Sequence, residues 1–449
     1  MELNVASGRK ILLGQLGRRG DCLYATTVAR QIKHDYPDCT LTWAISSIYR
    51  SVIDHNPFVD NVWELRQYEN DSVNDVWERF EHEAWKRKNN GEYDEVFLTQ
   101  VHPGNYQNFD GTTRSSLFRG YPHPITVPIN PVICLSENEV SDVWHFMTEH
   151  QVTNSDTVIL FEAASTSGQS FVTPEFAILT AERVLQKNPK IKFIISSNRQ
   201  IDNIHPHIID GSTLTFRQNA EVTKYCTLLV GCSSGISWLS TSDWAKPLPQ
   251  IQLLAGRTRM FASMFHDAKY FNLPTDNFIE LVDVPPGEAA EIVLLSVRDG
   301  FAKTFSRYQT TIPVKFDFYF SQIYNELISK RQYNKTSKAL STASTRYRYD
   351  DSAKKRFQYI IRNILTPYLH LLWWNLTDED RRAFIALGCG QPHGLYWWQI
   401  AKSFSQLCVF SFWGENVQVA RLFLLDRIST FIKIKSPKTA LTEPPKYYS

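Results

Sequence analysis

The 449-residue chain lacks an excess of either charge: 48 Lys and Arg stand against 46 Asp and Glu, a formal net charge of +2. Without a whole-chain positive field there is nothing to hold a polyanion by counterion release, so no nucleic acid is expected as a partner. Cysteine is sparse and scattered. Its seven copies (Cys22, Cys39, Cys134, Cys226, Cys232, Cys389 and Cys408) are odd in number and form no C-x-x-C pair and no Cys/His ligand spacing, which argues against a disulfide framework or a structural zinc site. Long hydrophobic runs are missing too. Met1 to Lys10 is mostly polar, and the apolar run after it is broken by Gln15 and Arg18-Arg19, unlike a secretory signal. The longest apolar stretches, such as Ile364 to Trp374, fall short of the ~18–20 residues a membrane-spanning helix needs. These absences predict a cytoplasmic protein in a reducing compartment.

What is present is a globular composition, 43% hydrophobic and 21% charged, with enough apolar surface to bury a core against chain entropy. The length predicts two or three domains of roughly 100–200 residues each. The aromatic content, 13% with 12 Trp, is unusual, and five of those Trp (Trp373, Trp374, Trp397, Trp398 and Trp413) lie in the last quarter.

From residue 10 onward, short β-branched runs alternate with longer helical ones, the pattern of a parallel sheet covered by helices. Strands are expected at Ile11–Leu13, Leu41–Ile45, Val62–Trp63 and Glu95–Gln100, with helices over Asp21–Tyr36 and Ser72–Lys88. Prolines at 122, 124, 128 and 131 mark a connector, and a helix over Glu137–His150 is expected to complete a first domain, 1–150. The alternation then restarts, with strands at Thr157–Phe161, Ile191–Ser196, near Leu214, Leu228–Val230 and Gln250–Leu254, giving a second domain, 151–328. Two Rossmann-like halves of this kind leave a cleft at the carboxyl ends of their strands.

Gly14-Gln-Leu-Gly17-Arg18-Arg19-Gly20-Asp21 joins the first strand to the first helix. The glycines let the backbone turn tightly near a ligand, and Gly17, Arg18, Arg19 and Gly20 form a candidate acceptor or phosphate loop at a helix N-terminus. Their spacing is not G-x-G-x-x-G, which disfavours a nicotinamide cofactor. Asp21 is either a helix-capping or first-turn acid or a general base at the mouth of the cleft. The run Lys10 to Pro37, followed by Leu41-Thr-Trp-Ala44, resembles the amino-terminal signature of the heptosyltransferase-like enzymes of glycosyltransferase family 9. That resemblance implies a GT-B fold, metal-independent transfer from a nucleotide sugar with no cofactor, and Asp21 as catalytic base.

In the second half, Leu228-Leu-Val-Gly231-Cys232-Ser233-Ser234-Gly235-Ile-Ser-Trp238 reads as strand, small-residue turn and helix, either a capped turn or a place for a diphosphate. It resembles the family's Asp-Ser/Thr-Gly-x-x-His donor motif at Ser234 and Gly235, with Ser233 in the Asp position and Trp238 in the His position. The segment Glu162 to Glu175 resembles the family's first C-domain loop, offering Ser165, Thr166 and Ser167 to the donor, with Ser170 where the family has a phosphate-binding Lys. Arg257 and Thr258 resemble a further donor-side turn, or Arg257 and Arg259 form a surface pair. His102 and His123 are loop residues that could meet an acceptor.

Lys330 to Arg362 carries ten Lys or Arg against Asp350 and Asp351, a local charge of +8 that leaves −6 for the rest. This basic linker, 329–360, leads to a helical, aromatic-rich extension, 361–449. Its aromatics are expected to form their own core or pack on the body; alternatively 330–374 makes peripheral contact with the inner face of a membrane, or the aromatics stack on carbohydrate. The expectation is an α/β GT-B protein that inverts a sugar as it transfers it from a nucleotide-sugar donor to a glycan or glycolipid acceptor in bacterial surface polysaccharide or lipopolysaccharide assembly. The alternatives are a nucleotide-sugar epimerase or a degenerate domain that binds glycan or a partner.

Overall fold

The computed structural model describes residues 8–66, 72–153, 155–163, 165, 168–202, 205–256, 262–309 and 316–330, with a few positions between 332 and 343. The expectations for the basic linker and the aromatic extension lie almost wholly outside these residues. Contacts divide the chain into Met1–Phe318 and Tyr319–Ser449. A helix over Phe316–Ile323 continues as a π turn over Tyr324–Ile328 in the second unit. Tyr319 is fully buried there and donates its hydroxyl to the Ala339 carbonyl at 2.7 Å.

The first unit holds two all-parallel sheets. One is formed by β1 (Lys10–Gly14), β2 (Thr40–Ser46), β3 (Asn61–Leu65) and β4 (Glu95–Leu98), in the order β3-β2-β1-β4. The other is formed by β5 (Val158–Glu162), β6 (Lys192–Ser196), β7 (Ile208–Asp210), β8 (Leu228–Gly231), β9 (Gln250–Leu254) and β10 (Phe278–Val282), in the order β10-β9-β8-β5-β6-β7. Apart from the exposed Lys10 at the start of β1, the central strands are buried throughout, as parallel strands covered on both faces must be. Counted from β5, the second sheet has the doubly wound order in which direction reverses between its first and fourth strands. The first sheet reverses in the same way between β1 and β4. The crevices beyond β1/β4 and β5/β8 are therefore where the topology leaves room for a ligand.

Helix α1 (Arg19–Asp35) follows β1 and ends at Tyr36, ahead of Pro37, whose ring disfavours helical geometry in the residue before it. Ten of its residues are buried, because it packs against α3 (Thr113–Phe118), α7 (Gly235–Leu239) and the 3-10 turn Ser47–Ile53 together. The proline-rich connector runs along it. Gln31 Oε1 accepts from Thr126 N at 2.7 Å and Val127 N at 3.0 Å, and Thr27 Oγ1 donates to Ile129 O at 3.1 Å.

Helix α2 (Val73–Asn89) is capped by Ser72 and Asp75, and α4 (Glu137–Glu149) by Ser136 and Glu139, each pair forming a capping box. The apolar face of α4, Val143, Phe146 and Met147, closes over Val158, Leu160, Ile194 and Leu229, so this helix packs on the second sheet although it precedes it. The strand expected near Leu214 lies earlier, at Ile208–Asp210. Leu214 sits in the following turn, whose Ser212 N–H and hydroxyl bind the Asp210 carboxylate at 2.9 and 3.0 Å. Leu214 still packs on the core, which is why the apolar pattern points to it. After α5 (Pro174–Lys187) and α6 (Gln218–Val222), three further helices accompany β10: α8 (Met264–Tyr270), α9 (Pro286–Arg298) and α10 (Phe301–Tyr308). The sequence pattern does not separate these.

The sheets are tied to each other by a buried cation. The Arg114 guanidinium of α3 lies 2.5 Å from Asp267 Oδ2 of α8, and both side chains are about 5% exposed or less. It also stacks over the rings of Tyr24, Trp238 and Phe271 at 5.1–5.4 Å. Arg217 adds a second tie, binding Glu139, the Asp54 carbonyl and the Cys134 carbonyl. A buried ion pair stabilises little by itself, but removing one member strands the other charge. We expect Arg114→Ala to cost about 3–5 kcal/mol in urea unfolding, and Arg114→Met combined with Asp267→Leu to recover most of that loss. A loss near zero for Arg114→Ala would mean the pair is solvated.

Candidate functional site

At the β1/β4 crevice the loop after β1 is held by amide side chains. Gln100 Oε1 accepts from Leu16 N at 2.8 Å and Gly17 N at 3.1 Å. Gln15 Nε2 donates to Gly17 O at 2.5 Å, and Gln15 Oε1 accepts from Thr99 Oγ1 at 3.0 Å. Trp43 Nε1 closes the set on Gln15 O at 3.0 Å. Gln15, Thr99 and Gln100 are all buried, so these bonds are made out of water, where an unpaired amide would be costly. Gly17 admits no side chain: a Cβ there would come within 2.4 Å of the Tyr49 ring. Gly20, one turn on, has open space where its Cβ would be.

Arg18 is the N-cap of α1 and makes no side-chain cap, which puts Asp21 at the third helical position. From there its carboxylate accepts the Arg18 backbone N–H, the reciprocal half of a capping box. Asp21 is half-buried. Burial raises its carboxyl to about 6, against the opposing pull of the Arg18 charge and that hydrogen bond. The sequence therefore places Asp21 correctly in the first turn, and the structure adds that desolvation dominates its ionisation. The Tyr49 hydroxyl is pushed up by burial within the field of Arg18, Cys22, Arg19 and Asp21, so these groups share one neighbourhood.

Arg19 reaches toward the second half, its guanidinium 5.9 Å from the centre of the Phe216 ring. A Cβ on Gly235 would meet the same ring at 2.8 Å. Phe216 thus separates the loop before α1 from the turn before α7 by the thickness of one side chain. Tyr24 links them again. Burial first, then the charges of Asp267, Asp21 and Glu162, raise its hydroxyl, while Arg114 lowers it.

At the β5/β8 crevice the structure supplies a residue that the motif search leaves without a role. Glu162, the last residue of β5, is 1% exposed. Its Oε2 accepts from Ser237 Oγ at 2.5 Å, Cys232 N at 3.1 Å, Ser237 N at 3.3 Å and Ser234 N at 3.4 Å, and its Oε1 accepts from Ile236 N at 2.8 Å. The backbone donors that the sequence offers to a phosphate are thus directed at an internal carboxylate. Ser233 takes the left-handed conformation (φ 49°) that bends the chain around it. Its N–H donates to Gln252 Oε1 at 2.7 Å and its hydroxyl to the Ala262 carbonyl. Ser234 and Gly235 remain half-exposed. Trp238, in the place of the family His, is packed edge-on against Tyr24 at 5.0 Å.

Of the loop after β5, Ser165 is half-buried, and its hydroxyl has no hydrogen-bond partner among the described residues. Thr166 and Ser167 lie outside the described residues, as do Arg257 and Thr258. Ser170 does not stand free as a phosphate ligand, because its hydroxyl donates to Leu253 O at 2.5 Å. It lines a cavity of about 290 Å³ with Phe171, Ala255, Gly256 and Asp283, at the carboxyl ends of β9 and β10. Gly256 N donates to Asp283 Oδ1 at 2.9 Å. A groove of about 440 Å³ on α4, lined by Trp144, Tyr225 and Trp244, shares none of these residues. His102 stacks on Tyr106 at 5.2 Å and His123 on Tyr121 at 5.3 Å.

The raised Asp21 carboxyl has a consequence for stability. Below about pH 4 the carboxyl is protonated in folded and unfolded chains alike, and its burial carries no charge penalty. As pH rises through 4 to 6 the unfolded carboxyl ionises first, so the folded state loses stability. We expect Asp21→Asn to be more stable than wild type by about 1–3 kcal/mol at pH 8, on the scale of ~1.4 kcal/mol per pKa unit, with the gain vanishing at pH 4. Urea midpoints at the two pH values measure it, and equal gains at both would refute a desolvated Asp21.

No protein-family model matches the chain, and no curated protein matches it in sequence. Among solved structures it is similar to a glycosyl transferase of family 9 from Veillonella parvula DSM 2008, with 14% identity over 66% of this chain and 90% of that one and a TM-score of 0.45. It is also similar to the E. coli ADP-heptose lps heptosyltransferase II, with 12% identity over 65% and 99% and a TM-score of 0.41. A third similarity is to S. aureus MnaA in a co-structure with UDP, with 8% identity over 72% and 97% and a TM-score of 0.37.

Proposed function

We propose that the chain is a GT-B glycosyltransferase that moves a sugar from a nucleotide-sugar donor to a hydroxyl of a glycan or glycolipid acceptor, with Asp21 as general base. The observation that carries this reading is the Asp21 carboxyl. It lies beyond the carboxyl end of β1, where a doubly wound sheet receives ligands, and burial brings its pKa to about 6, close to the working range of a base. The ionised carboxylate takes the proton of the acceptor hydroxyl as that oxygen attacks the anomeric carbon. The bond from that carbon to the leaving phosphate oxygen breaks in the same step, which inverts the configuration. Arg18 puts positive charge beside the base, favouring its ionised form, and with Arg19 in the same neighbourhood it offers a partner to an anionic leaving group. Metal-free transfer, surface-glycan assembly as its setting and a place at the inner face of a membrane follow from the family resemblance alone.

One observation favours a second reading. Because Glu162 occupies the backbone donors before α7, a degenerate GT-B domain that binds glycan without turning over a nucleotide sugar is the rival. A panel of ADP-, GDP-, UDP-, CMP- and dTDP-sugars separates the two. We expect transfer from one donor, with a product of inverted anomeric configuration, unchanged by EDTA. The value of kcat/KM should rise with pH through about 6 as Asp21 ionises, and Asp21→Asn should lower kcat by about 10²–10⁴-fold. Full activity in Asp21→Asn would sink the base assignment, and no turnover of any donor would favour the binding domain.

A further inference from the structure

We propose that Glu162 sets the specificity of the β5/β8 crevice: its carboxylate is the anion that the turn before α7 holds, so this turn excludes a diphosphate and presents itself to the hydroxyls of a neutral sugar. The inference deepens the proposed function and rests on its reading of the cleft as a carbohydrate site. Glu162 accepts from four backbone N–H groups and the Ser237 hydroxyl, all neutral donors, four of them on Oε2 and Ile236 N on Oε1. At 1% exposure it has no room to turn toward water. A phosphate oxygen seeking the same N–H groups would meet a like charge in a medium that screens it poorly. The donors that point at an anion are therefore already paired inside the fold.

A separate observation indicates what the crevice can accept instead. Gln169, 4% exposed, donates its Nε2 toward Ser233 O at 3.4 Å, while its buried Oε1 has no hydrogen-bond partner among the described residues. A buried amide oxygen next to Ser233 suits a polyol, whose hydroxyl can donate to it, and does not suit an anion, which only accepts.

The test uses the full chain and inorganic pyrophosphate as probe, with affinities measured by calorimetry. Glu162→Gln keeps the shape and removes the charge, and Glu162→Ala empties the cradle. Both should bind pyrophosphate at least tenfold more tightly than wild type. Glu162→Ala should also melt about 5 °C or more below wild type, as buried donors lose their acceptor, and pyrophosphate should restore that melting temperature. Ser237→Ala weakens the same network without removing the charge, so it should lose stability and gain no affinity. If Glu162→Ala does not fold, Glu162→Gln against wild type decides the matter. Pyrophosphate affinity unchanged or weakened by removing the charge would overturn the proposal, whether or not the enzyme turns over a nucleotide sugar. An inactive enzyme with the predicted gain would overturn only the transfer reading.

Discussion

Backbone N–H groups at the ends of parallel strands need acceptors, and this requirement shapes both halves of the molecule. A parallel strand that stops beside a neighbour leading elsewhere leaves donors at the switch point with no ladder partner, and a helix starting there adds more. At β1/β4 the acceptors are amide oxygens, with Gln100 on Leu16 and Gly17. At β5/β8 the acceptor is the carboxylate of Glu162. The first solution fixes the loop with neutral groups and leaves Asp21 as the acid of the region. The second spends a full negative charge on structure.

The Arg114 cage makes these two crevices neighbours. Its guanidinium is paired with Asp267 and enclosed by Tyr24, Trp238 and Phe271, so one cation is shared by α1, α3, α7 and α8. An indole at 238 is suited to this place in a way an imidazole is not, because it offers a larger π face to the cation and a broad apolar edge to Tyr24. Trp238 therefore has a packing role inside the fold, independent of any ligand. The same cage accounts for the burial of Cys22 to Ala25 on α1, since a helix held against α7 has little surface left for solvent.

What the sequence makes legible follows from how far its signals reach. Central strands are visible because burial on both faces demands continuous apolar runs such as Ile11–Leu13 and Val158–Phe161. Asp21 is visible because a first-turn acid lies within one loop of the strand it follows. Glu162 looks like an ordinary charge at a strand end, and its meaning comes from donors 70 to 75 residues away. Gln100 acts on a loop 83 to 84 residues earlier, and Arg114 on an aspartate 153 residues later. No local period encodes such pairs. The Ser170 hydroxyl shows the converse. A reading of its loop alone suggests a place for a phosphate, yet its bond to Leu253 O comes from a strand that lies outside that loop.

Asp21, in the first turn of the helix after β1, and Glu162, the last residue of β5, are carboxylic acids at the switch-point crevices of the two sheets, and their surroundings differ. Glu162 is immobilised by five donors, which makes it a good strut. Asp21 is governed by desolvation, with a backbone N–H and a nearby arginine in opposition, and the space beside Gly20 is open. A carboxyl that loses stability by ionising gains most from sharing a proton with an incoming hydroxyl. The burial that makes Asp21 a cost to the fold is the same property on which the base role proposed for it depends, whereas the five donors on Glu162 let the second sheet hold a buried carboxylate in place.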